Sequence, residues 1–200
     1  MTTEPNKPRR VVVYCGSAPG ADPAYLLAET ALGRALAEAG IGVVYGGANV
    51  GMMGAVADAA LAADGEVIGV LPEILGDREI AHAGLTKLIF TETMHVRKAK
   101  MLELSDAVVA LPGGYGTLDE LMEAVTWAQL KIHTKPCILI NILGYYDGLL
   151  SFLDATVEAG FLKPGNRKLI RVAPGVTEVL QILNDHLKWS KKHASSLQAP

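Results

Sequence analysis

Two hundred residues, half of them hydrophobic, supply enough apolar surface for one buried core and fit one domain of ordinary α/β size. A formal net charge of -3 argues against a nucleic acid or a membrane surface as partner. Two cysteines are too few for a disulfide framework or a zinc set, so Cys15 and Cys137, each beside an apolar run, read as small buried hydrophobes.

The first ten residues, MTTEPNKPRR, are polar and lack the apolar segment of a signal peptide, so they read as a flexible tail. VVVYCG, 11–16, is a β-branched run closed by glycine and predicts a buried strand. Helix-forming residues follow over 24–40, ending at Gly40 as a natural cap. The pattern then repeats: strand at 41–47, helix at 52–65, strand at 66–72 and strand at 85–90. HVRKAKMLELS predicts a helix over 95–105, DAVVALPGG a strand, and LDELMEAVTWAQL a helix over 118–130. KPCILIN (135–141) and LIRVA predict two more strands, separated by a helix in YDGLLSFLDATVEAG. VTEVLQILNDHLKW is the last helix, and residues 188–200 read as a second flexible tail. No interior linker interrupts this order, so residues 11–187 are expected to form one nucleotide-binding unit.

Strictly alternating strands and helices imply an α/β fold: a single Rossmann-like, three-layer domain with a parallel sheet and helices on both faces. Ligands of such sheets sit beyond the carboxyl ends of the strands. Every glycine-rich segment falls there: CGSAPG after the first strand, YGGANVGMMG after the second, ALPGGYGT after the strand at 107–111. A single glycine pair after a strand is ordinary turn architecture. Three such loops at one sheet edge, each leading into a helix whose first N–H groups are free, indicate a shared phosphate site. Neither G-x-G-x-x-G nor G-K-[ST] occurs in them, which excludes the usual dinucleotide and ATP cradles. One phosphate, as on a nucleoside monophosphate, matches what they offer.

Thr117 has two readings, a hydroxyl donor to phosphate or the N-cap of the helix that follows. Glu120 likewise either closes a capping box with Thr117 or places a carboxylate beside the phosphate cradle. Asp119 and Lys100 read as solvated. Arg97 stands at a helix start, where its charge gains nothing from the helix dipole, and this favours a carboxylate or ligand partner. A carboxylate and an arginine beside a phosphate cradle suit cleavage of an N-glycosidic bond, because positive charge builds at the anomeric carbon and water must lose a proton. The histidines, His82, His95, His133, His186 and His193, do not fall at ligand spacing with acids or cysteines, so no metal site is expected.

These segments, taken together, resemble the LOG-type cytokinin-activating phosphoribohydrolases over about residues 11–185. The resemblance is carried by PGGYGTLDE at 112–120 and MHVRKAKM at 94–101, with YCGS at 14–17, YGGANVGMMG at 45–54, TWAQLKIHTKP at 126–136 and GYYDGLL at 144–150. It implies a homodimeric cytoplasmic hydrolase that converts nucleoside 5'-monophosphates, N6-prenylated adenosine monophosphates above all, to free base and ribose 5-phosphate, without a cofactor. It implies Arg97 and Glu120 as the catalytic pair, with Glu79, Lys98, Gly114, Tyr115, Gly116, Thr117 and Thr126 around the nucleotide. The other two glycine loops offer Ser17, Gly46, Gly47 and Met53 as further contacts. Val96 and Lys100 stand where family members commonly carry acids, and Lys131 where GIHTKP is commoner. The helices at 95–105 and 118–130, with Met94, Met101, Met122 and Trp127, are the expected dimer surface, although core packing explains the same stripe. Two alternatives stay open: a nucleosidase for AMP or another purine monophosphate, and a nucleotide-binding regulator or a carrier akin to the molybdenum-cofactor carriers, which would bind without turnover.

Overall fold

A strand buried on both faces has to be apolar at every position rather than at alternate ones. The run RVVVY meets that condition, and Val11 to Tyr14 are all at most 2% exposed. The computed structural model describes residues 9–76 and 81–196, of which 75, 76 and 187–196 are described by backbone alone. β1 (Arg10–Tyr14), α1 (Pro23–Glu38), β2 (Gly42–Tyr45), α2 (Gly51–Leu61) and β3 (Val67–Pro72) come first. The short α3 (Glu73–Gly76), β4 (Lys87–Thr91), α4 (Met94–Glu103), β5 (Ala107–Ala110) and α5 (Tyr115–Gln129) follow. β6 (Cys137–Ile140), a 3-10 turn at Ile142–Gly144, α6 (Asp147–Glu158), the short α7 (Pro164–Arg167), β7 (Ile170–Ala173) and α8 (Val176–Ser196) complete the order. α3, α7 and the 3-10 turn are too short for a periodic signal, and none is visible in the sequence. α8 carries its helix beyond residue 187 to Ser196.

The seven strands pair in the order β4-β3-β2-β1-β5-β6-β7, each pair parallel. This is the three-layer α/β architecture expected from the alternation. The edge strands β4 and β7 expose some residues, whereas the five between them are buried almost throughout. One core, on the face of α1, α2 and α8, holds Val11, Val13, Leu32, Leu36, Val43, Val56 and Leu183. The other, under α4, α5 and α6, holds Val12, Tyr14, Val44, Met101, Leu121, Ala124 and Leu139. Sequence order runs outward from β1 to β4 on one side and from β5 to β7 on the other. The switch point, where a ligand crevice opens, therefore lies between the carboxyl ends of β1 and β5.

Capping sets the helix starts near that edge. Asp22 accepts a hydrogen bond from the Ala24 N–H at 2.8 Å, with Pro23 at the first helical position of α1. Thr93 caps α4 by accepting from the Val96 N–H at 3.2 Å. α5 begins at Tyr115 with Gly114 as its N-cap, three residues before the start expected at 118. Thr117 is consequently inside the first turn, and the capping box with Glu120 does not form. The dimer stripe also divides. Met101 is core, Met122 and Trp127 pack partly against that core, and Met94 is exposed.

Candidate active site

The carboxyl ends of β1, β2 and β5 and the first turns of α4 and α5 enclose a cleft of about 270 Å³. The loop after β1 contributes Cys15, Gly16 and Ser17, α2 contributes Met53, α4 contributes Met94 and Arg97, and the start of α5 contributes Gly114 to Thr117 and Glu120. A second cavity of about 300 Å³ shares Gly16, Ser17 and Gly114 with it and is walled by Tyr25, Met52, Gly113 and Tyr145.

At the centre is an ion pair. The Arg97 Nη1 donates to Glu120 Oε1 at 2.9 Å, with the two side chains only 10% and 11% exposed. The Arg97 Nε donates to the Val70 carbonyl at 2.9 Å, which anchors the guanidinium to β3. Gly46 is the reason the guanidinium fits: a Cβ there would lie 2.4 Å from Nη2. Gly46 thus serves the site through Arg97, and Gly47 packs against β3 and Leu88 beside it. Burial pushes the Glu120 carboxyl above the ordinary carboxylate range, and the charge of Arg97 pulls against that shift. The result is a carboxyl group more basic than an exposed one and held in one place by its partner.

The glycine loop approaches β1 closely. A Cβ on Gly113 would stand 2.1 Å from Thr117 Oγ1 and 2.8 Å from the Gly16 nitrogen. At Gly114 and Gly116 the corresponding directions are open. Gly114 has no side chain to cap α5, so the first N–H groups of that helix remain available to an anion. Thr117, 3% exposed, lines the cleft with its hydroxyl against Gly113, whereas Tyr115 at the rim is 94% exposed. Cys15 lines the same cleft, but burial first, and then Glu29, drive its thiol well above the usual range, so it stands there as a neutral SH.

The other expected contacts are placed differently. Lys98 is 6% exposed and donates to Asp119 Oδ2 at 2.9 Å and Glu123 Oε2 at 2.8 Å, bracing α4 against α5. Burial lowers the pKa of its ammonium, but the two carboxylates outweigh that and hold it charged. Asp119 is thus exposed yet paired, as is Lys100, which meets Glu103 at 3.1 Å. The Thr126 hydroxyl donates to the Met122 carbonyl of its own helix at 2.7 Å, away from the cleft. Glu79 lies outside the described residues. His133 is structural: its ring bridges the Ala124 carbonyl and the Lys135 N–H, and burial lowers its pKa.

Two features of the site carry little sequence signal. Cys15 reads only as core, although it is the first residue past β1. Glu29, within the helical run of α1, reads as solvent-facing, yet it is fully buried behind Cys15. Neither of its carboxyl oxygens has a hydrogen-bond partner of ordinary length, and burial pushes its pKa to about 8.

Residues 53–183 match the protein family described as "Possible lysine decarboxylase". The chain is 45% identical over 190 residues to the cytokinin riboside 5'-monophosphate phosphoribohydrolase LOG1 of Arabidopsis thaliana, covering 95% of this chain and 89% of that protein. It is 44% identical over 208 residues to the probable cytokinin riboside 5'-monophosphate phosphoribohydrolase LOGL5 of Oryza sativa subsp. japonica, covering 96% and 85%. Among solved structures, the molybdenum cofactor binding protein of Rippkaea orientalis superposes with a TM-score of 0.69 at 24% identity, covering 92% of this chain and 99% of that one. The Moco carrier protein of Chlamydomonas reinhardtii gives 0.68 at 24% identity, covering 90% and 98%; both likenesses establish the fold. With relatives this similar over nearly its whole length, the chain belongs to the LOG-type family of phosphoribohydrolases.

Proposed function

We propose that this protein hydrolyses the N-glycosidic bond of cytokinin riboside 5'-monophosphates, releasing the free base and ribose 5-phosphate. The observation that carries the reading is the buried Arg97–Glu120 pair set 2.9 Å apart beside a glycine-lined helix N-terminus. The relatives named for this activity, similar over almost the full chain, support it. The 5'-phosphate meets the first N–H groups of α5 and the Thr117 hydroxyl, which leaves the ribose over Glu120. Glu120 then takes a proton from water while its charge stabilises the oxocarbenium-like centre. The water oxygen bonds to C1', the C1'–N bond breaks with its electron pair on the base, and the proton Glu120 took from water passes, directly or through solvent, to the base nitrogen. Arg97 holds Glu120 ionised and in position before the substrate arrives.

The decarboxylase in the family's description does not suit this site. A lysine that forms a Schiff base with pyridoxal phosphate has to be a neutral amine. Lys98, the buried lysine beside the cleft, is instead held charged between Asp119 and Glu123.

The enzyme acts as a cytoplasmic homodimer in this reading, without a nucleic-acid partner. The exposed Phe90, Met94 and Val96 beside the cleft, on β4 and α4, offer the second copy an apolar surface. Lys98 then serves by bracing α4 against α5 rather than by lining the cleft. Incubation with isopentenyladenosine 5'-monophosphate and, separately, with AMP, followed by chromatography of the base, tests the reaction. Base released by wild type and lost in Glu120→Ala supports it, and a higher rate on AMP would make the protein a purine nucleotide nucleosidase. Binding of nucleotide without release of base would point to a carrier.

A further inference from the structure

We propose that Tyr145 and Tyr146 position the phosphate cradle, by tying back the carbonyl oxygens of the glycine loop so that only N–H groups face the substrate. The inference rests on the reading that the start of α5 receives a phosphate.

A loop that binds an anion has to turn its carbonyl oxygens away, since each carries negative partial charge. Here three consecutive carbonyls are occupied. The Tyr146 hydroxyl donates to the Leu111 carbonyl at 2.6 Å, the Gly16 N–H to the Pro112 carbonyl at 3.1 Å, and the Tyr145 hydroxyl to the Gly113 carbonyl at 2.8 Å. Immediately after them come Gly114 and the uncapped first turn of α5. The two tyrosines reach the loop from a distant part of the chain, across 35 and 32 positions in sequence.

The local backbone is bent to bring both hydroxyls to the same loop. Leu143 has φ +52°, a left-handed conformation that costs a non-glycine residue energy, and Gly144 follows at +70°. Asn141 holds the bend: its Oδ1 accepts from the Tyr146 N–H at 2.8 Å and its Nδ2 donates to Asp147 Oδ1 at 2.6 Å. The rings pack edge to face, Tyr145 on Tyr146 at 4.8 Å and Tyr25 on Tyr145 at 5.8 Å between centroids. Burial raises the Tyr146 phenol, so it stays a neutral donor.

A buried tyrosine commonly finds a carbonyl simply to satisfy its hydroxyl, and Tyr146, 2% exposed, meets that description as well. Tyr145 does not. It is 45% exposed, so burial does not force its hydroxyl onto a carbonyl, yet it takes that of Gly113. Tyr145→Phe is the cleaner variant, because it removes the hydroxyl and keeps the ring against Tyr25 and Tyr146.

The test is calorimetric titration of AMP and of adenosine into the full-length Glu120→Ala protein, with and without Tyr145→Phe, so that turnover plays no part. The expected result is a fall in AMP affinity of about tenfold, the worth of roughly one hydrogen bond, with adenosine affinity the same in both proteins. Unchanged AMP affinity would overturn the proposal and leave the hydrolase reading standing. An equal fall for AMP and adenosine would also overturn it, because Tyr145 would then be touching the nucleoside itself. If neither protein binds AMP more tightly than adenosine, α5 receives no phosphate and this proposal falls. Base release from wild type is the separate measurement on which the hydrolysis reading stands or falls.

Discussion

Two glutamates are buried on opposite faces of the same sheet, and they are not alike. Glu120, under α5, opens onto the cleft and has the Arg97 guanidinium at 2.9 Å. Glu29, on α1, is sealed behind Cys15 and has no cationic partner among the described residues. Burial raises both carboxyl groups, but only Glu120 has a positive charge pulling the other way. At neutral pH Glu29 therefore keeps its proton and behaves as a core residue, whereas on Glu120 the upward push of burial is opposed by the Arg97 charge. The contrast shows that burial alone makes an inert acid. Burial together with a fixed counter-charge and an opening onto the cleft is what the proposed base requires.

The sharpest way to break that contrast is to move the counter-charge. Gly46→Ala would drive a methyl group into the Arg97 guanidinium, because the space at Nη2 is only 2.4 Å. A displacement on this scale is expected to lower kcat by about a hundredfold. Steady-state base release, with circular dichroism showing the fold retained, measures it. Near-normal kcat in Gly46→Ala would mean that the position of Arg97 does not govern Glu120.

Acid acts on the same pair by a different route. In the proposed reaction Glu120 has to be ionised to accept a proton from water, and burial holds its pKa above the ordinary carboxylate range. Activity should therefore fall as pH drops through that raised pKa, by about tenfold per pH unit below it. A profile of kcat/KM against pH would show the acid limb. A limb at or below the usual carboxylate range would contradict the assignment.

The smallest effect belongs to Glu29 and is read in stability. Its folded-state pKa, about 8, exceeds the value of an exposed glutamate, so the native state binds the proton more tightly. By linkage, its contribution is complete below the unfolded pKa, declines as pH rises, and is lost once pH passes the folded pKa. Replacing the acid by an apolar side chain, Glu29→Leu, should flatten this decline and raise Tm at pH 9 by about 5 °C. Thermal melts at pH 6 and pH 9 decide it, and an equal slope in both proteins would show that Glu29 is not the titrating group.

Much of the site was legible in the sequence because glycine clusters at strand ends report on backbone geometry, which is local. The loops at 46–47 and 113–116, and the acid and arginine near them, stand out for that reason. Lys98 and Asp119 were harder to read, since a charged residue on a helix looks solvated until another helix packs beside it. Their ion pair depends on α4 and α5 lying side by side across the sheet. Thr117 shows the same limit. Gly116 is a poor helix former, so local propensity starts the helix at 118, but α5 begins at Tyr115 and Thr117 is buried in its first turn. The aromatic pair at 145–146 looks like ordinary apolar filling until its hydroxyls are traced to the loop.

The sequence by itself determined the alternation of strands and helices, the parallel sheet that follows from it, and the three glycine loops at one edge. These rest on periodicity and on backbone conformations that neighbouring residues decide among themselves. Only the tertiary structure decided the strand order that brings β1 beside β5, and with it which charges meet. Arg97 reaches Glu120, Lys98 meets Asp119 and Glu123, and Glu29 meets no cation among the described residues. The charge state of a buried acid depends on what lies within a few ångströms of it in space, and that distance has no counterpart along the chain.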